Sequence, residues 1–142
     1  NNYNIRGLLK KNELALFISP DGSTPASILQ NAWFSMGKFD AGKIIDYKIH
    51  DKNMGVYIFI IEGKIEVAEE ILSKRDGIGI WDVSDLKINI IEHSDLLLIE
   101  VPMISWSEKL DILYKKISIR IAWKVHLKKG VKVVLVVHVV NK

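Results

Sequence analysis

The chain has 142 residues, a formal net charge of +3, 49% hydrophobic residues and no cysteine. That length suits one domain burying roughly two thirds of its unfolded surface, and the missing cysteine excludes disulfides, thiolate metal ligands and cysteine nucleophiles. The charge is uneven: residues 1–103 carry 11 Lys or Arg against 15 Asp or Glu and residues 104–142 carry 9 against 2, so an acidic body meets a basic tail near Pro102.

Residues 1–27 form an opening segment in which residues 13–19 (ELALFIS) read as a strand and Ser19-Pro20-Asp21-Gly22-Ser23 as a turn, since Pro fixes one dihedral and Gly accepts positive φ. A second strand is predicted over residues 26–36, with Trp33 and Phe34 in it. Asp40-Ala41-Gly42 then turns the chain into a strand over residues 43–49. Residues 56–61 (VYIFII), a Glu62-Gly63 turn and residues 64–67 (KIEV) read as a central hairpin. Residues 78–82, 86–91 and 96–101 follow as strands, separated by turn compositions such as Glu92-His93-Ser94-Asp95. The runs are short and the turns close together, which leaves no room for a helix of normal length between them.

After Pro102 the pattern changes. Residues 107–116 (SEKLDILYKK) suit one short helix, capped by Ser105 or Ser107. Residues 117–127 alternate apolar and polar side chains with a period of two, Lys128-Lys129-Gly130 would turn, and residues 131–140 would return as the second arm of a hairpin. The expected fold class is all-β, an antiparallel β-barrel or jelly roll with an added C-terminal β-hairpin. The run Val133-Val134-Leu135-Val136-Val137 has high β-propensity and no internal charge, so as an uncovered edge it would pair between chains, and a homo-oligomer through this hairpin is expected. No apolar run approaches the roughly 18–20 residues of a membrane helix, and the start NNYNIRGLLKKNELALF lacks a signal peptide's apolar core. A soluble cytoplasmic chain with no membrane partner is expected.

The order GVYIFIIEGKIEV (residues 55–67), KRDGIGIWD (74–82) and LLLIEVPM (96–103), preceded by SPDG (19–22) and QNAWFSMGKFDAGK (30–43), resembles the C-terminal cupin half of pirin-like proteins, bicupins of which some are known as quercetin 2,3-dioxygenases. The resemblance covers residues 13–103, so residues 1–103 are taken as a cupin domain and 104–142 as a basic tail without a counterpart in the family. It implies a cupin barrel whose N-terminal companion, absent here, would hold iron or another divalent metal through three His and one Glu. In this chain the corresponding His positions fall near Lys48 and His50, the Glu position is Val56, and residues 83–87 stand where the third His would lie. The resemblance therefore implies a non-catalytic module with no metal of its own and no cofactor, partnered by a metal-bearing cupin. The alternative is a quercetin 2,3-dioxygenase-like enzyme with an unrecognised metal site, formed by His126 and His138 or across a dimer.

The remaining candidates are plainer. His50, in HDKN, and His93, in EHSD, read as turn residues, and Glu66, Glu69, Glu70, Asp82 and Asp85 as solvated charges rather than acid–base pairs. Asp76 before Gly77 reads as a turn-fixing carboxylate. Tyr47, Tyr57 and Trp81 are the candidate contacts for a ligand inside the barrel, by their mixed apolar and polar character. Arg120, Lys124 and Lys128 share one face of the tail strand, which admits a nucleic-acid-binding tail, although a solvated basic face explains them as well. No nucleophile elbow, phosphate loop or zinc-binding His-Glu helix is present.

Overall fold

The computed structural model describes residues 5–103, 123–128 and 131–137. It is nearly all sheet: β1 (Leu14–Ser19), β2 (Ala26–Ser27), β3 (Trp33–Phe39), β4 (Ile44–Lys48), β5 (Met54–Val67), β6 (Glu70–Ser73), β7 (Gly77–Trp81), β8 (Asp85–Pro102), β9 (Trp123–Lys128) and β10 (Val131–Val137). Among the described residues the helical content is one 3-10 turn, Ile5–Leu8. The strands join in the order β2-β1-β3-β8-β5-β7-β10-β9, with β4 also on β8 and β6 also on β5. That path has two ends, so the expected all-β architecture is present as a sheet that does not close.

Two long strands organise the molecule. The sequence suggested turns at Glu62-Gly63 and at Glu92–Asp95, yet the chain runs straight through both: β5 has 14 residues, β8 has 18, and the two pair along their length. The supposed turns are a shared bulge, where the register slips between Ile60 and Ile65. Inward positions on β5 are Val56, Ile58 and Ile60 before it and Ile65 and Val67 after it. Passing from even to odd numbers on one face requires an extra residue. Gly63 supplies it at φ 94°, where a Cβ would overlap the His93 carbonyl oxygen and Ser94. The buried Ser94 hydroxyl closes the bulge, accepting from Lys64 N at 3.0 Å and donating to Glu92 O at 2.6 Å.

The tight hairpin lies a few residues on, where Ala68 and Glu69, at φ 50° and 61°, connect β5 to β6 and set Val67 opposite Glu70. Two positive φ values match the twist of paired strands, but neither residue is the usual Gly or Asn, so no composition marked the turn. The strand expected over residues 26–36 divides into β2 and β3, because residues 28–32 turn back, with Ala32 N donating to Gln30 O at 2.8 Å. Other turns match their sequence reading. Asp21 accepts from the Ser19 and Ser23 hydroxyls and from Ser23 N, which holds its carboxyl down at about 2, and Asp76 accepts from Ser73 N at 2.9 Å.

The core is one hydrophobic cluster. It includes Phe39, Ile58, Ile60, Ile65, Leu72, Ile78, Ile80, Ile88, Leu96 and Leu98. In the tail, β9 and β10 form the expected antiparallel hairpin, and β10 also pairs with β7, setting Val134 opposite Ile80. The valine-rich run is therefore covered on both sides, and the strand at the edge is β9. The predicted helix over 107–116, residues 117–122 and residues 138–140 lie outside the described residues.

Candidate functional site

Inward positions along the last part of β8 are Leu96, Leu98 and Glu100, and Glu100 is as fully buried as the leucines. Its register partners are Trp33 on β3 and Val56 on β5. A carboxylate in such surroundings is costly unless its lone pairs are used. Here they are: Oε2 accepts from the Tyr47 hydroxyl at 2.5 Å and from His50 Nδ1 at 2.8 Å, and Oε1 accepts from His50 N at 2.7 Å. All three donors come from the end of β4 and the segment after it, so one buried side chain fastens that connection to the mouth of the sheet.

His50 is held on its face as well as its edge. The Trp33 indole lies parallel to the imidazole, with ring centroids 4.1 Å apart and planes at 10°. Burial, then the hydrogen bond to Glu100 and its charge, push the Tyr47 phenol well above its ordinary value, so it remains a donor. A hollow of about 480 Å³ opens beside the imidazole between residues 49–53 and 82–84. Ile49 N donates to Ser84 O at 3.0 Å and ties its two walls together.

The sequence-predicted ligand trio is divided. Tyr47 is on the core face, bonded to Glu100. Tyr57 and Trp81 lie on the opposite face, where Tyr57 pairs with Gly79, Trp81 with Gly55, and the Tyr57 ring covers Gly77. Burial raises the Tyr57 phenol. None of the three lines the hollow. His50, read as a solvated turn residue, is instead fastened to a buried carboxylate. His93 is exposed at the bulge, 3.7 Å from Asp40 and 3.6 Å from Asp95. His126 stands opposite Val134 in the hairpin register, and His138 lies outside the described residues. Glu100 went unnoticed, although a carboxylate in phase with Leu96 and Leu98 was the available signal.

The residues at the implied metal positions do not fit iron. Lys48 supplies an ammonium at the first His position, Val56 offers no donor at the Glu position, and His50 Nδ1 already bonds Glu100. Among the described residues no three His, Asp or Glu side chains are grouped so as to hold a metal ion.

The fold is that of a cupin domain. More narrowly, the chain belongs to the family described as the quercetinase C-terminal cupin domain, whose model matches residues 16–101. Similar solved structures include the bacterial pirin YhhW of Escherichia coli in complex with nickel(II), at 21% identity and TM-score 0.62, covering 67% of this chain and 42% of that one. YhaK of Escherichia coli follows at 23% identity and TM-score 0.58, covering 65% and 42%. Quercetin 2,3-dioxygenase of Acinetobacter baumannii matches at 14% identity and TM-score 0.54, covering 72% and 41%. The chain thus spans about two fifths of the length of these structures, and the likeness is one of fold. No curated protein matches the chain. No helix among the described residues is long and apolar enough to cross a membrane.

Proposed function

We propose that this chain is a non-catalytic cupin module of a pirin-like protein, working beside a metal-bearing cupin supplied by another segment or another chain. The observation that carries this reading is the engagement of the mouth's polar groups with one another: Glu100, the only fully buried carboxylate among the described residues, is saturated by Tyr47 and His50. Lys48 and Val56 offer nothing to a metal there.

The test is the metal content of the purified chain, with its melting temperature before and after addition of Fe(II), Ni(II) or Zn(II), because a ligand bound to the native state raises it by linkage. The module reading expects substoichiometric metal and an unchanged melt. Stoichiometric metal with a raised melt would overturn it in favour of a metal-dependent, quercetin 2,3-dioxygenase-like enzyme.

A further inference from the structure

We propose that the hollow beside His50 is a binding site for a small neutral polyhydroxylated ligand, of the monosaccharide class, anchored on His50 Nε2. The proposal deepens the reading of the chain as a module that binds rather than reacts, and rests on it.

The imidazole is oriented before any ligand arrives. Glu100 holds its Nδ1 and its backbone N, Trp33 holds its face, and the side chain is still 41% exposed. Among the described residues Nε2 has no hydrogen-bond partner. With Nδ1 donating to the carboxylate, Nε2 is the ring's one remaining polar atom, the arrangement by which a buried carboxylate fixes a histidine for an outside partner. Fixing the ring in advance removes part of the ordering cost of binding.

The walls set the ligand's class. They carry donors and acceptors together, in Lys52, Asn53, Asp51 and Asp82, with aliphatic surface from Ile49 and Val83. Sugar hydroxyls each donate and accept, and the C–H edges of a sugar ring match aliphatic patches. Charge disfavours the alternatives: two wall carboxylates, with Glu100 beneath, oppose an anion, and the Lys52 ammonium opposes an amine. The volume, about 480 Å³, falls within the usual range for small-molecule sites.

The experiment is a titration of the full, chelator-treated chain, followed by amide and imidazole resonances, with a panel of neutral hexoses and pentoses and with inorganic phosphate and methylammonium as separate probes. The expected result is saturable movement of the His50 Nε2 signal and of the amides of residues 49–53 and 82–84 by at least one sugar. Asn53→Ala, which leaves the Glu100 hydrogen bonds intact, should weaken that sugar about tenfold, an effect of one lost hydrogen bond. Saturation by phosphate or methylammonium alone, or no saturable movement with any sugar of the panel, would overturn the proposal. So would sugar binding that Asn53→Ala and His50→Gln both leave unchanged. Because metal is removed beforehand, failure here is separate from failure of the module reading, which is read from metal content.

Discussion

Strands β5 and β8 lie side by side through two environments, and the contrast between them separates what holds the fold from what shapes the mouth. In the middle of the pair, Ile58, Ile60, Ile65, Leu96 and Leu98 are at most 1% exposed and belong to one hydrophobic cluster. Near the end, Glu100 is equally buried and in the same phase, but its contacts are hydrogen bonds of fixed direction. Apolar packing is non-directional and accepts any side chain of suitable volume. The Glu100 network admits one arrangement of the Tyr47–His50 segment and, through it, one orientation of the imidazole.

Cutting the network at its centre should be the most damaging single change. Glu100→Ala leaves the Tyr47 hydroxyl and two His50 donors without their acceptor, and removing one side of a buried charged contact costs about 3–5 kcal/mol. Urea denaturation measures this, and hydrogen exchange should show residues 49–53 opening more than the rest. A loss under about 1 kcal/mol, within the range of ordinary surface changes, would mean that the mouth is no more demanding than the surface. Ile58→Ala should cost about 3 kcal/mol, the usual penalty for a buried aliphatic cavity, spread over the whole sheet, with the Trp33–His50 stack unchanged. If Ile58→Ala loosened the mouth selectively, the two environments would not be separable.

The bulge inside the apolar region offers a sharper cut. Gly63→Ala should cost about 2–3 kcal/mol, from a positive φ and an overlap with the facing strand. Thermal unfolding would show it, and a neutral result would remove Gly63 as the residue that lets both halves of β5 face the core.

The apolar region was the more legible from sequence. Alternation at Leu96 and Leu98 and the run at 56–61 marked strands correctly, because burial of one face dictates a period of two. Their continuity was not legible: Glu62-Gly63 and Glu92–Asp95 have turn compositions, and a bulge uses the same residues as a turn, for the same freedom in φ. The hairpin at Ala68-Glu69 carried no glycine to announce it. The mouth was harder still. His50 sits among polar neighbours in sequence, and its two partners, Trp33 and Glu100, come from β3 and β8, with Tyr47 of β4 on the same carboxylate, so only the sheet's register assembles them. The polar tip of Tyr47 bonds the Glu100 carboxylate.

The smallest of these effects tests the direction of that bond. Tyr47→Phe removes one of the three donors to Glu100 and should cost about 1.5 kcal/mol at neutral pH, the usual worth of a hydrogen bond to a charged group. The phenol's titration point is raised in the fold, by burial first and by Glu100 second. Its contribution is therefore complete below the unfolded tyrosine value of about 10 and is lost as pH rises beyond it, since the unfolded chain then releases a proton that the fold retains. The wild-type melting temperature should fall between about pH 10 and 11, and the gap to Tyr47→Phe, which has no such proton, should narrow over the same interval. Tyr57 is also raised, by burial alone, and remains in both proteins, so the narrowing reports Tyr47. A gap that stayed constant would show that the Tyr47 hydroxyl does not hold its proton for Glu100, and the mouth would lose one of the three contacts that distinguish it from the core.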